Sequence, residues 1–285
     1  VKLLVTGGTG FIGQHLLRAL LAAGHTVRAL ARDVASARAL PGFAQVQWVQ
    51  ADLDDPSLDV GSLAEGVEQL VHLAWQNLPN YQAAFHYEHN LFAHYRFIKA
   101  VVQAGVERVA VTGTCFEYGL HDGALSESMP AQPVTAYGLA KYSLLGFLQA
   151  LQRQQPFTLQ WWRLFYLHGQ GQNPNSLLAS LDRAIDAGEH QFCMSPGDQL
   201  RDYLPVAEAA GYLARLLAVP GDHGVINCCS GRPTSLRALV EQRLLERGAS
   251  LELVLGHYPY AAHEPLAFWG NPTRLRALLK EPVDG

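Results

Sequence analysis

Tyr137 and Lys141, four residues apart, form the pair in this chain best suited to move a proton. They fall near the start of Ala136–Gln152, a stretch whose spacing predicts a helix, so both project from one face. Thr135, two residues after Pro133, is placed to cap that helix. A free phenol titrates near ~10. An ammonium ~4 Å away, at an effective dielectric of ~20, would favour phenolate by up to ~4 kcal/mol before desolvation opposes it. The expectation is a phenol brought toward neutral pH, where a general acid–base group works best. Taken alone, Tyr-x-x-x-Lys is also what an exposed helical pair looks like, so the rest of the chain must decide.

A second feature is V-K-L-L-V-T-G-G-T-G-F-I-G over residues 1–13. An apolar run leads into Gly7, Gly10 and Gly13, spaced by three, and then into an apolar helical stretch. This pattern predicts a buried strand turning sharply into a helix. The glycines let backbone N–H groups approach a pyrophosphate, and the helix N-terminus adds partial positive charge. Gly13 lets the helix pack close to the strand.

Elements that could hold these groups alternate along the first half. Strands are predicted at Lys2–Val5, Thr26–Leu30, Val46–Val49, Gln69–Leu73, Arg108–Thr112 and Thr158–Leu164. Helices are predicted at Phe11–Ala23, Leu58–Glu65, Tyr81–Ala104 and Ala136–Gln152. Such alternation implies an α/β, doubly wound parallel sheet with ligands at the carboxyl ends of its strands. After Arg163 the pattern loosens. His168–Ser176 reads as a polar loop, with helices at Leu177–Ala187, Ala207–Ala218, Leu236–Arg247 and Thr273–Leu279 and a strand at Val225–Cys228. We expect a dinucleotide-binding domain over 1–166, to which part of 203–230 returns, and a small C-terminal substrate lobe over 167–285.

With 285 residues, 49% hydrophobic and 16% charged, the chain can bury a large core. A net charge of −4 offers no basic field for nucleic acid or an anionic membrane. Cys115, Cys193, Cys228 and Cys229 form no C-x-x-C pair and read as reduced thiols. No run reaches membrane-spanning length, and the first strand starts at once with no leader pattern. The expectation is a soluble cytoplasmic protein.

Several motifs come together: T-G-G-T-G-F-I-G at 6–13, Asp52-Leu53, H-L-A-W at 72–75, Asn90, Thr114 with Tyr118-Gly119, Tyr137/Lys141, and R-D-Y-L-P-V at 201–206. Jointly they resemble the extended short-chain dehydrogenase/reductase family, nearest its nucleotide-sugar epimerases, dehydratases and 4-ketoreductases. The resemblance spans nearly the whole chain and implies a Rossmann fold. It implies that Gly7, Gly10 and Gly13, with Phe11 and Ile12, meet the cofactor pyrophosphate. Asp52 and Leu53 would flank the adenine, and Leu73 and Ala74 would lie along the cofactor. Thr114 would hydrogen-bond the reacting oxygen and Tyr137 would exchange its proton. Lys141 would hold the nicotinamide ribose and lower the phenol pKa. Arg201 would reach a substrate diphosphate, for which a planar guanidinium is suited. The resemblance also implies a homodimer built on the helices at 81–104 and 136–152.

The cofactor is argued from the second strand. An acidic residue at its end binds the ribose diol in NAD-preferring relatives. That place holds Ala31 here, followed by Arg32. The missing carboxylate and the guanidinium favour NADP(H), with Arg28 or Arg38 as further candidates, while Asp33 could restore NAD(H). The reaction is narrowed by Thr114-Cys115-Phe116-Glu117-Tyr118-Gly119. Cys115 and Phe116 replace the acid pair of T-D-E-x-Y-G dehydratases, so dehydration is not expected. If the segment is extended, Cys115 faces away from the reacting sugar and is a small packed residue. The favoured reading is NADPH-dependent reduction of a 4-keto-6-deoxy sugar nucleotide. An NAD-dependent 4-epimerase is the alternative, and a non-catalytic NAD(P)-binding sensor is the alternative of another class.

Single residues have blander readings. Asn90 and Asp202 are expected to hold backbone, and His72 to be packed. Trp161 and Trp162 are expected in the core. His86, Asn90 and His94 share a helical face without a carboxylate at ligand spacing, so no metal is expected. Gln172, Asn173 and Ser176 offer polar substrate contacts or merely satisfy their loop. Tyr166 stands where relatives of R-x-F-N type carry Asn.

Overall fold

The computed structural model describes residues 1–281. Its first half runs β1 (Lys2–Thr6), α1 (Phe11–Ala22), β2 (Thr26–Ala31), α2 (Val34–Arg38), β3 (Gln47–Gln50), α3 (Val60–Ala64), β4 (Gln69–His72), α4 (Leu91–Gln103), β5 (Arg108–Thr114) and β6 (Gly123–Leu125). It continues through α5 (Ala136–Gln154), β7 (Thr158–Leu164), β8 (Tyr166–His168), α6 (Leu177–Asp186), β9 (Gln191–Cys193), β10 (Leu200–Pro205) and α7 (Val206–Leu217). The remainder is β11 (Gly224–Cys228), β12 (Pro233–Ser235), α8 (Leu236–Arg247), β13 (Glu252–Val254), β14 (Phe268–Gly270) and α9 (Thr273–Leu279).

Seven strands form one parallel sheet in the order β11-β7-β5-β4-β1-β2-β3. Their apolar runs are buried on both faces, which is what a helix-covered parallel sheet requires. One face packs α1, α7 and α9 through Leu16, Leu20, Leu213 and Leu275. The other packs α3, α4 and α5 through Leu63, Ile98, Leu144 and Leu148. Trp161 and Trp162 point into opposite cores, as alternation along a strand demands. The order changes direction between β1 and β4, which puts the carboxyl ends of those strands at a crevice.

Residues 166–281 contribute a separate cluster, Leu178, Leu181, Phe192, Met194, Val240 and Leu244, between α6, α8 and the β9–β13 pair. β11 lies at the edge of the main sheet against β7, so the chain crosses back after β10. Among the described residues no helix is long and apolar enough to cross a membrane.

One predicted helix is cut short. The pattern at Tyr81–Ala104 predicts a continuous helix, but regular α-helix starts only at Leu91, preceded by a π-helical turn over His86–Asn90. The Tyr81 carbonyl instead accepts the backbone N–H of Tyr137 at 2.9 Å. The segment before His86 is drawn off to the start of α5, and the π-turn absorbs the change of direction.

Candidate active site

The β1–α1 turn has the geometry its glycines predict. Gly7 has φ +71, and a Cβ there would lie 2.7 Å from the Ala74 nitrogen. A Cβ on Gly13 would lie 2.1 Å from the Gly7 carbonyl oxygen. Gly10 donates to that same oxygen at 3.1 Å. α1 begins with no side-chain cap and no acidic residue in its first turn. The N–H groups of Phe11, Ile12 and Gly13 therefore open the helix without intrahelical acceptors. A bare, glycine-walled helix start of this kind fits a pyrophosphate. The Thr6 hydroxyl accepts from Ala74 N–H (3.2 Å) and bonds His72 Nδ1 (2.9 Å), which fixes Leu73 and Ala74 beside the turn.

At the far end of this groove, Ala51 N–H donates to the Ala31 carbonyl at 3.0 Å, so Asp52 and Leu53 lie next to the end of β2. Arg32 is exposed and makes no bond to another described residue. The Asp33 carboxylate caps α2, accepting from the Ser36 amide (3.0 Å) and hydroxyl (2.5 Å). Arg28 does not serve as a second cofactor cation. Its guanidinium donates to the Ser62 and Leu63 carbonyls at 3.2 and 2.6 Å, because it leaves β2 from the half remote from the glycine turn.

Thr114, Tyr137 and Lys141 converge at the end of β5. Thr135 caps α5 through Gly138 N–H at 3.0 Å. Gly138 lets α5 approach so closely that a Cβ there would lie 2.6 Å from the Phe116 carbonyl. The Thr114 hydroxyl accepts Phe116 N–H at 3.3 Å and lies close enough to the Tyr137 phenol to act on its protonation. Lys141 Nζ donates to the Thr112 carbonyl at 2.8 Å and sits 4.0 Å from the centre of the Trp75 ring.

The electrostatics differ from the sequence-based expectation. Burial pushes the Tyr137 phenol above its ordinary value, and the neighbouring Tyr81, Glu117 and Cys115 push the same way. The Thr114 hydrogen bond opposes them. Lys141 does not bring the phenol toward neutrality, because its own ammonium is desolvated. Its pKa falls to about 7, with only Glu117 pulling upward. The phenol is thus held as a proton donor.

Around the trio stands an aromatic wall. Tyr81 lies 4.8 Å from Phe116 and 5.8 Å from Tyr137, between ring centres. Tyr166 and His263 lie 6.5 and 6.0 Å from Phe116. Arg201 is 3% exposed and packs over Phe268, and its guanidinium meets Glu264 at 2.7 Å and the Leu266 carbonyl at 3.1 Å. The group expected to face a diphosphate is already ion-paired. The Asn173 side chain accepts Asn175 N–H at 2.8 Å within its own loop. Ser176 Oγ is buried with no partner among the described residues. A cavity of about 730 Å³ opens beside this loop between α6 and α8, with Gln172 on its wall but not Asn173 or Ser176.

Cys115 is not in an extended segment. It starts a one-turn 3-10 helix, Cys115–Glu117, and is packed with Tyr118, Phe165 and Phe268. Asn90 donates to the Gln76 carbonyl at 3.0 Å, and His72 is buried against His94 at 2.8 Å. Asp202 accepts three backbone N–H groups, from Ser230, Gly231 and Gly270. No group of three His, Cys, Asp or Glu placed to hold a metal occurs among the described residues. Sequence reasoning missed Glu117, Tyr81, Trp75 and Glu264. Glu117 carried a signal, since Glu117, just after β5, and Arg163, near the end of β7, are opposite charges in two otherwise largely apolar stretches.

Comparison with known proteins agrees with this geometry. The family model described as the NAD dependent epimerase/dehydratase family matches residues 3–229. A dTDP-6-deoxy-L-talose 4-dehydrogenase (NAD(+)) from Aggregatibacter actinomycetemcomitans is 28% identical over 273 residues, covering 95% of this chain and 99% of the relative. A dTDP-6-deoxy-L-talose 4-dehydrogenase (NAD(P)(+)) from Kitasatospora kifunensis is 33% identical over 266 residues, covering 88% and 81%. The solved structure of MoeE5 in complex with UDP-glucuronic acid and NAD superposes with a TM-score of 0.83 at 28% identity, covering 100% of this chain and 94% of that one. The glycine turn, the Thr-Tyr-Lys trio and these matches together place the chain in the NAD dependent epimerase/dehydratase family, an enzyme of the extended short-chain dehydrogenase/reductase kind.

Proposed function

We propose that this enzyme transfers hydride reversibly between a nicotinamide and C4 of a 6-deoxy sugar carried on a nucleoside diphosphate, working as an NADPH-dependent 4-ketoreductase. The observation that carries this reading is the convergence of the Thr114 hydroxyl, the Tyr137 phenol and Lys141 beside the glycine turn. The relatives named 4-dehydrogenases support it, since 4-dehydrogenation and 4-ketoreduction are one reaction in two directions.

The cofactor supplies the hydride when bound. Gly7, Gly10 and Gly13, with the amides of Phe11 and Ile12, hold its pyrophosphate. Asp52 and Leu53 flank its adenine, Leu73 and Ala74 line its path, and Lys141 holds the ribose. As C4 is reduced, the Tyr137 hydroxyl gives its proton to the new alkoxide and the Thr114 hydroxyl steadies that oxygen. The raised phenol pKa suits this direction, because the donor keeps its proton. Arg32 supports NADP(H) over NAD(H): it stands without a partner among the described residues where a 2′-phosphate would lie, and the competing Asp33 carboxylate is spent on its helix cap. The aromatic wall of Tyr81, Phe116 and Tyr166 suits a sugar whose C6 is a methyl group. Arg201 takes the nucleotide end once the diphosphate displaces Glu264, with Asn173 and Ser176 as further polar groups of the lobe.

The outer faces of α4 and α5 support a homodimer. Phe92, Tyr142 and Phe147 are exposed there, and Phe92 and Phe147 lie 6.4 Å apart. Free cysteines, three of them buried, support a reducing cytoplasmic setting.

The test is NADPH oxidation with a dTDP-4-keto-6-deoxyhexose, with the product identified by NMR. A 4-hydroxy-6-deoxy sugar nucleotide formed one-for-one with NADP(+) supports the reading. Interconversion of 4-epimers without net NADPH consumption, or no turnover with any 4-keto nucleotide sugar, refutes it.

A further inference from the structure

One buried carboxylate has no part in the chemistry above. Glu117 is 0% exposed and lies beneath the Thr114–Tyr137–Lys141 group. Its Oε1 accepts from Thr114 N–H and from Trp161 Nε1, both at 2.9 Å, and its Oε2 accepts from Arg163 Nε at 2.7 Å. Gly113 makes the room: a Cβ there would lie 2.5 Å from Glu117 Oε1 and 2.1 Å from Trp161 Nε1. Arg163 is itself packed 4.3 Å from the centre of the Tyr118 ring.

A buried ion pair of this kind is a weak source of stability, and apolar side chains of similar volume serve a fold as well. What the carboxylate adds is position and potential. It grips the amide of Thr114, the residue whose hydroxyl acts on the Tyr137 phenol. Lys141 is tied to the same strand end, its Nζ on the Thr112 carbonyl at 2.8 Å two residues before the Thr114 amide that Glu117 holds, and the carboxylate pulls its pKa upward. The other titratable groups acting at that ammonium are His72 from β4, His86 from the π-turn and His94 from α4, besides Tyr137 one turn away. Burial holds all three imidazoles toward the neutral form and the phenol protonated, so the negative charge at this place comes from Glu117.

We propose that Glu117, anchored by Arg163 and Trp161, is a positioning residue for the reaction: it fixes the Thr114 backbone that carries the hydroxyl beside Tyr137, and its carboxylate supplies the negative charge acting on Lys141. This rests on the reading of Thr114, Tyr137 and Lys141 as the reacting groups. A sugar or cofactor never touches Glu117. It acts through two groups that do.

The test is Glu117→Gln, which keeps an acceptor for the Thr114 amide and removes the charge. Because that change strands Arg163, Glu117→Gln/Arg163→Met is measured beside it. The chain has four lysines, so isotope-labelled lysine ε-carbons can be followed by NMR, with Lys141→Met assigning the buried one. In the wild type the Lys141 signal should titrate near 7. In both variants its midpoint should fall by about one unit, the scale of an opposite charge nearby. We expect kcat to drop about tenfold or more with KM within about threefold, the pattern of an interaction realised in the transition state. Glu117→Asp should recover part of both. A folded variant with an unmoved Lys141 midpoint, or with kcat within about twofold of the wild type, overturns the proposal. If the single variant does not fold, the double variant decides by the same two readings. An inactive wild type instead refutes the proposed reaction, and the NMR titration still reads the Glu117–Lys141 coupling.

Discussion

Lys141→Met should make this enzyme inactive and more stable, and the gain should depend on pH. The ammonium is 1% exposed, and burial brings its pKa from 10.5 to about 7 against the pull of Glu117. The unfolded chain keeps that proton up to its ordinary value, whereas the folded chain releases it near 7. Between those values the unfolded state binds more protons, so stability from this group rises with pH and is lowest below about 7. A fall of roughly three and a half units at ~1.4 kcal/mol each amounts to ~5 kcal/mol. That destabilisation, on the order of 5 kcal/mol, is fully present below about pH 7 and fades as pH rises through the ordinary lysine value. Methionine fills the same channel without charge. Thermal unfolding of both proteins at a series of pH values is the assay. The variant should melt about 8 °C higher near pH 6, and the difference should vanish toward about pH 10. A difference that is flat with pH, or a variant less stable near pH 6, would refute the reasoning, because it would mean the amine is not held at an energetic disadvantage.

Three further outcomes are expected. Tyr137→Phe should lower kcat by about 10²–10⁴-fold while NADPH fluorescence titration stays within about threefold, since the ring remains and only the proton donor is lost. Gly13→Ala should weaken NADPH binding by at least ~10-fold and destabilise the fold by about 1–3 kcal/mol, because the new Cβ would press on the Gly7 carbonyl. Arg32→Ala should weaken NADPH about tenfold or more and leave NADH nearly unchanged, with calorimetry of the two cofactors as the check.

Much of the frame was legible because it is local. The helix at Leu236–Arg247 matches its prediction, starting at a Ser235 cap and ending at Gly248, which has φ +59. The parallel strands were legible as apolar runs bounded by turn residues. The short strands β6, β8, β9, β12, β13 and β14 were not, because three residues carry little periodicity and form strand only against a partner far along the chain, as Phe268–Gly270 does against Gly123–Leu125. Arg201 was legible as a residue of interest but not as an ion pair, since Glu264 lies 63 positions away. The Tyr81 wall was hidden inside a helical pattern that the real chain interrupts to reach Tyr137.

Residue order alone decides which groups are available and which neighbours share a turn: three glycines at a strand–helix bend, a phenol and an amine one helical turn apart, and a missing carboxylate after β2. Their protonation is another matter. Charge state depends on how much water each group loses and on which partners arrive from distant strands, and both are properties of the packed molecule. That is why the Tyr137 phenol sits above its ordinary pKa although an amine stands beside it in sequence, and why Glu117, unremarked in the linear chain, ends beneath the reacting groups.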